Sequence, residues 1–280
     1  MAKLIRIDAE LVRRGLAKSR AEATQLIQAG NVWVDGAEVT KPARQINPAQ
    51  AVVVKPIDTD NYASRGAYKL LGALEYLGDK APEILGRRTL DAGASTGGFT
   101  DVLLRRGASS VVAVDVGYGQ ILWRLREDPR VEVLERTNVR TLDPALVAPA
   151  PSLVVSDLSF ISLTLVIPAL VAASSEDAEF LLMVKPQFEV GKDSLGAGGV
   201  VRDSALHVSS VLAVAQSAIS NGLHIVEVAP SPLPGPAGNV EYFLYLSKTK
   251  GTKSSTLIND MIKLAVQNGP AGDSQQKKRG

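Results

Sequence analysis

The segment of this chain best suited to hold a ligand is Asp91-Ala92-Gly93-Ala94-Ser95-Thr96-Gly97-Gly98-Phe99. It follows a short apolar run and opens a helical pattern. Glycines at such a junction let the backbone turn tightly and come close to a bound molecule. No Gly-Lys-Ser/Thr ending follows, so the phosphate-binding lysine of nucleoside triphosphate sites is missing, and the G-x-G-x-x-G spacing of dinucleotide binders is missing too. Asp91 at the end of the apolar run would face a ligand with positive charge. Asp115 closes the next run 24 positions later, where α/β nucleotide folds set a carboxylate on ribose hydroxyls. A cationic, ribose-bearing ligand answers both acids, and S-adenosylmethionine fits that description better than NAD. A glycine-rich turn with no ligand would leave the paired acids unexplained.

Two more polar residues end apolar runs. Asp157 lies in Ser156-Asp157-Leu158-Ser159-Phe160, and Lys185 in Val184-Lys185-Pro186-Gln187-Phe188-Glu189. Ligands of open α/β sheets bind at the carboxyl edge, so both should face one cleft. A lysine closing an apolar strand is disfavoured unless paired; the plainer reading is a salt bridge at the sheet rim. The chain has no Cys, and His207 and His224 lack ligand-like spacing. Thiolate sites, disulfides, a His-based metal site and a Ser/His relay are therefore not expected, and no metal is called for.

These residues need elements to hold them. Apolar runs at Thr89–Ala92, Val111–Asp115, Val131–Leu134, Leu153–Asp157, Phe180–Lys185, His224–Ala229 and Tyr242–Leu246 read as strands. Helical stretches such as Phe99–Arg106 and Ala205–Asn221 lie between them. Alternation of this kind predicts a mostly parallel sheet covered on both faces. Asn239–Ser247 is expected as an antiparallel strand, reached through the Pro- and Gly-rich turn from Pro230 to Gly238. A helix restarts at Ser64.

Residues 1–56 follow a different plan: helix, helix, hairpin, strand. Asp8 is placed to cap a first helix running to Gly15. Ser19 and Glu22 have capping-box spacing for a second helix over 20–29. Gly30 suits a helix C-terminal cap, and Asp35-Gly36 between valines signals a type I′ hairpin. Trp33, in the alternating strand, reads as core more readily than as a base-stacking residue. Residues 1–20 carry six basic side chains against two acidic ones, a local basic face in a chain of net charge +2. Residues 57–63 read as a linker. The segment 249–280 is a polar, basic tail, with disorder expected in its last dozen residues. The longest apolar run, Leu163 to Ala173, is about half a membrane span and contains Pro168. The expectation is a cytoplasmic monomer with no membrane contact.

The glycine motif, Ser64-Arg65-Gly66-Ala67-Tyr68-Lys69-Leu70, Ser156-Asp157, Lys185-Pro186 and Gly238-Asn239-Val240-Glu241-Tyr242 occur in that order. The set resembles the FtsJ-type ribose 2′-O-methyltransferases. Residues 1–56 resemble the small RNA-binding fold first described in ribosomal protein S4. Together they resemble the TlyA family of rRNA 2′-O-methyltransferases, some of them named haemolysins. The resemblance covers nearly the whole chain except the tail. It implies a Rossmann-like class I methyltransferase fold, a seven-stranded mostly parallel sheet over 64–248, with a small α+β S4-like RNA-binding domain over 1–56.

The resemblance also implies a Lys-Asp-Lys-Glu tetrad at Lys69, Asp157, Lys185 and Glu241. It implies that Asp91, Gly93, Ser95, Gly97, Gly98 and Asp115 line a site for S-adenosylmethionine. Asp157 borders that site as well, and Asn138 is a further candidate for the adenine pocket. Lys185 is the hypothesised general base. A lysine at its reference value of ~10.4 is protonated at neutral pH; a second cation at Lys69 and partial desolvation favour the free amine, while Asp157 and Glu241 oppose it. In S4-like domains the first two helices present basic residues to RNA, which here points to Arg6, Arg14, Lys18, Arg20 and Lys41, mainly on phosphates. Arg65 would touch either the linker or RNA. The implied substrate is cytidine in rRNA of 30S subunits, 50S subunits or both. A non-catalytic ribosome-assembly factor is disfavoured by the intact tetrad, and a membrane-active haemolysin by the absence of a span or long amphipathic basic helix.

Overall fold

The computed structural model describes residues 4–17, 19–28, 30–54, 62–191, 195–235, 238–251 and 253–270. It divides into two units, Met1–Arg65 and Gly66–Gly280. Linker residues 57–61, Lys18 and the last ten residues, 271–280, lie outside the described residues.

The first unit contains β1 (Ile5–Arg6), α1 (Ile7–Arg13), α2 (Arg20–Gln28), β2 (Val32–Val34), β3 (Ala37–Glu38), β4 (Gln45–Ile46) and β5 (Val52–Val54). Ile7 and Leu11 recur at helical spacing on α1, as Ala23 and Ile27 do on α2, and all four join Val32, Val34 and Ile46 in one core. The order β3-β2-β5 forms an antiparallel sheet, and β1 pairs with β4. Asp35 and Gly36 both take positive φ, 49° and 81°, as a type I′ turn requires. Ser19 Oγ accepts the Glu22 N–H at 3.1 Å, and Gly30 has φ +75°. Trp33 departs from expectation. It is half-buried, while Val32 and Val34 occupy the core face. Asp8 departs as well: Arg6 holds the N-cap position of α1 without a side-chain cap, and Asp8 lies inside the first turn.

The second unit begins with α3 (Gly66–Leu77), β6 (Arg88–Ala92), α4 (Gly98–Arg105), β7 (Ser110–Val114), α5 (Trp123–Arg126), β8 (Val131–Leu134), β9 (Leu153–Ser156) and α6 (Ile167–Ala172). It continues with β10 (Glu179–Val184), α7 (Pro186–Glu189), α8 (Ser204–Ser220), β11 (His224–Pro230), β12 (Tyr242–Ser247) and α9 (Ser255–Asn268). The seven strands run in the order β11-β12-β10-β9-β6-β7-β8. All neighbours from β10 to β8 are parallel, and β12 is antiparallel to both β10 and β11. Every residue of β10 and β12 is buried, as expected for central strands covered on both faces.

The tail reading missed α9. Ser254 caps it, accepting the Leu257 N–H at 3.3 Å. Ile258, Ile262, Ala265 and Val266 lie on its buried stripe, in the same core as Val211 of α8 and Val228 of β11. Burying each large aliphatic there contributes about 1.5–3 kcal/mol. The second unit thus extends well beyond Lys248. No helix among the described residues is long and apolar enough to cross a membrane.

Candidate active site

Strand register explains why distant residues meet. Ala92 pairs with Ser156, Ser156 of β9 with Leu182 of β10, and Val184 with Tyr242. Asp157, Lys185 and Glu241 come just beyond these paired positions. Because β12 is antiparallel to β10, its beginning lies at the carboxyl edge of the parallel strands. The three side chains therefore emerge at one edge of the sheet.

Lys69 reaches the same edge from α3. It lies on that helix's buried stripe with Ala73 and Leu77, and its ammonium pairs with Glu241. Lys69 is 8% exposed and Glu241 1%. Lys185, also 8% exposed, places Nζ 2.5 Å from Asp157 Oδ1 and donates to Ser159 Oγ at 3.0 Å. The structure thus brings all four residues together as two ion pairs. A pair as buried as Lys69–Glu241 is costly to half-remove, because the remaining charge is left without a partner.

A cavity of about 400 Å³ adjoins Asp157. Gly93, Ser95, Asp115, Asn138, Asp157 and Ser159 line it, together with Val116, Gln120 and the segment 158–161. Its size is that of a small-molecule site. Gly93 has φ +90°, and a Cβ there would stand 2.6 Å from the Asp157 carbonyl oxygen, so only glycine permits this approach of two strand ends. Asp115 accepts the Ser95 N–H at 2.8 Å and the Gly117 N–H at 2.7 Å. Those bonds fold the glycine loop against the loop after β7 and leave carboxylate lone pairs for a ligand. Asn138 Oδ1 caps a short 3-10 turn through the Arg140 N–H at 3.0 Å.

Asp91, Gly97 and Gly98 are absent from the cavity wall. Gly97, φ +96°, caps α4, and Gly98 begins that helix. Asp91 is fully buried; its Oδ2 accepts from Thr100 Oγ1 at 2.7 Å, while Oδ1 has no hydrogen-bond partner. Burial pushes its carboxyl up to about 7.

Three supporting residues escaped the sequence reading. Glu189 accepts from Ser162 Oγ at 2.5 Å and from the Leu163 N–H at 2.9 Å, joining the loop after β9 to α7. Its burial raises the carboxyl above the usual range. Asn239 accepts the Val201 N–H and donates to the Gly199 carbonyl, both at 3.0 Å, which steadies the approach to Glu241. His207 Nε2 donates to the Val201 carbonyl at 3.0 Å, so Nδ1 accepts the Tyr242 hydroxyl at 3.1 Å. Glu189 and Asn239 stand inside segments already singled out by sequence, but nothing local reveals which distant backbone groups they satisfy. Phe160 at the cavity is 92% exposed, with φ +63°.

Of the basic residues in the first unit, Arg6 and Arg20 are substantially exposed, at 47% and 59% of their side chains. Lys41 is also exposed, as is Arg65 in the turn before α3. Arg14 is more enclosed: it donates to Glu10 at 2.8 Å and to the Pro48 and Gln50 carbonyls at 2.8 and 3.1 Å. Among the described residues there is no group of His, Cys, Asp or Glu fit to hold a metal ion.

Residues 62–248 match the FtsJ-like methyltransferase family, and residues 5–52 the S4 domain. The chain is 55% identical over 271 residues to the 16S/23S rRNA (cytidine-2′-O)-methyltransferase TlyA of Mycobacterium tuberculosis, covering 96% of this chain and 100% of that one. It belongs to the TlyA family of FtsJ-like methyltransferases. The putative rRNA methyltransferase YqxC of Bacillus subtilis is 38% identical over 248 residues, covering 88% of this chain and 86% of that one. A solved structure described as a putative hemolysin from Streptococcus thermophilus superposes with a TM-score of 0.74 at 34% identity, covering 100% of this chain and 99% of the other. The order of an S4 domain followed by an FtsJ-like domain agrees with the two units of the fold.

Proposed function

We propose that this protein methylates the ribose 2′-oxygen of cytidine in ribosomal RNA, using S-adenosylmethionine, with Lys185 as general base. The observation that carries the reading is the two ion pairs, Lys69–Glu241 and Lys185–Asp157, at one edge of the sheet, with Asp157 also lining the cavity. The activity of the Mycobacterium tuberculosis relative supplies the substrate class. Residues 1–56 would dock RNA; the second unit, α9 included, would carry the chemistry in the cytoplasm, where ribosomal subunits are found.

The cavity residues fit the proposed cofactor. Asp115 would accept ribose hydroxyls, Asn138 would border the base, and the glycine approach at Gly93 leaves room beside Asp157. When bound, S-adenosylmethionine supplies an electrophilic methyl group with a neutral thioether as leaving group. Lys185, once its ammonium has released a proton to solvent, would take the 2′-hydroxyl proton as that oxygen attacks. Asp157, 2.5 Å away, would stabilise the resulting ammonium, and Ser159 Oγ would accept another of its N–H groups. Lys69, oriented by Glu241, would hold the ribose so that nucleophile and methyl stay in line, a positioning effect that supplies much of the rate.

The test is transfer of tritiated methyl groups from S-adenosylmethionine to 30S and 50S subunits that lack the modification. Label on RNA that disappears with Lys185→Ala, while cofactor binding persists, is the expected result and identifies the subunit. Near-full turnover by Lys185→Ala would remove the base assignment. No transfer to either subunit by the unaltered chain would remove the substrate.

A further inference from the structure

Arg6 and Arg20 are tied to a single buried carboxylate. Asp8, in the first turn of α1, is 3% exposed. Arg6 donates through Nε to Oδ1 at 3.1 Å and through Nη2 to Oδ2 at 2.8 Å. Arg20, twelve residues later on α2, donates through Nη2 to the same Oδ2 at 2.9 Å. The Ala9 N–H donates to Oδ1 at 2.8 Å and fixes the carboxylate to the helix backbone. The anchor is rigid, since Ile7 and Leu11 on either side of Asp8 are core residues. The arginines are not consumed by it. A guanidinium has five N–H donors, so each keeps most of them for a partner on its exposed side.

The trio carries one net positive charge, which suits a single phosphodiester. Free arginines lose rotamer freedom when they bind, whereas arginines already ordered do not pay that entropy again. Planar guanidiniums also grip phosphate through paired N–H groups, which makes orientation as important as charge.

We propose that Asp8 is a positioning residue that holds Arg6 and Arg20 as one phosphate-gripping pair for structured RNA. The proposal rests on the reading of the first unit as the RNA-docking part. It makes a prediction opposite in sign to simple charge counting. Removing a carboxylate from an RNA-binding surface should tighten binding if net charge is what matters. If Asp8 orders the pair, its removal weakens binding although the unit becomes more positive.

The experiment measures affinity of the full chain for unmodified 50S and 30S subunits across a salt series, with melting temperature and S-adenosylmethionine binding as checks. Asp8→Asn is compared with Glu38→Gln, which removes the same charge from an exposed position on β3. Asp8→Asn is expected to bind about five- to tenfold more weakly, with a salt slope lower by about one phosphate contact. Asp8→Glu should recover part of the loss, and Glu38→Gln should bind as well as the unaltered chain or better. Asp8→Asn is also placed in an Arg6→Ala/Arg20→Ala background, where it should cost no further affinity. Binding by Asp8→Asn equal to or tighter than the unaltered chain overturns the proposal. So does an undiminished loss in the double-alanine background, which would mean that Asp8 acts only through the stability of the unit. If the unaltered chain shows no salt-dependent binding to either subunit, the RNA-docking reading falls, and this proposal with it.

Discussion

The Lys69–Glu241 pair separates what a residue does for the fold from what it does for the reaction. Glu241→Gln leaves a nearly buried ammonium without its counter-charge, and losing one partner of a buried pair costs about 3–5 kcal/mol. A lower melting temperature together with lost methyl transfer is therefore expected. Replacing both partners by apolar residues of similar size, Lys69→Met with Glu241→Leu, should return most of the melting temperature, because no stranded charge remains. Methyl transfer should stay absent. Recovery of activity in the double variant would show that the pair is scaffolding alone. Asp91 offers a pH test. Its carboxyl is pushed from an ordinary value near 4 up to about 7 by burial. The folded state therefore holds a proton that the unfolded chain has released between those values. The associated stability is fully present below about pH 4 and is lost as pH rises through about 7. Asp91→Asn cannot lose that proton. Thermal melts from pH 5 to 8 should show the unaltered chain losing stability relative to Asp91→Asn as pH rises; parallel profiles would mean that Asp91 ionises freely in the fold.

At the scale of elements, the site depends on how closely α3 can approach the sheet. A Cβ on Gly72 would stand 2.3 Å from Cγ of Pro232, in the turn after β11. Gly72 is one turn beyond Lys69, so Gly72→Ala should displace the helix that aims the lysine. Alanine is otherwise the better helix former by about 1 kcal/mol. A net loss of stability together with a fall in kcat is thus expected, and a more stable, fully active variant would show that Pro232 yields without moving α3. Nothing in the local sequence marks Gly72, because its constraint comes from a residue 160 positions away. The same contrast runs through the molecule. The seven strands, the hairpin at Asp35-Gly36 and the Ser19 cap were legible from periodicity and turn chemistry, and the grouping of Lys69, Asp157, Lys185 and Glu241 only from the family resemblance. The ladder of β1 with β4 was not, since two-residue strands carry no period. The insertion of β12 between β10 and β11 is a pairing choice that periodicity does not encode. Asp8 reads as a cap by residue type, yet two arginines compete for its carboxylate and win it. The α9 stripe was present in the sequence but was masked by polar residues on the other face.

The whole molecule joins two units with separate hydrophobic cores, one around Ile7, Leu11 and Val32 and the other across the seven-stranded sheet. Separate cores mean that neither unit needs the other's apolar residues to fold. A chain beginning at Tyr62 should therefore melt cooperatively, since α3, the sheet and α9 remain intact. Its deficit should lie in substrate capture. Phosphate contacts release counterions, and each contributes about −0.7 to −0.9 to the slope of log affinity against log salt, the range from single strands to duplex DNA. Removing the first unit should flatten that slope for ribosomal subunits by roughly the number of phosphates the unit holds. The gap in kcat/KM between the full and shortened chains should then be widest at low salt and narrow as salt rises. Turnover at saturating subunit concentration separates capture from chemistry. If the first unit only captures substrate, kcat is retained and KM rises. If kcat collapses at every salt concentration while the shortened chain still melts as a folded unit, then residues 1–61 act on the catalytic site itself, and the division of labour between docking and chemistry is wrong.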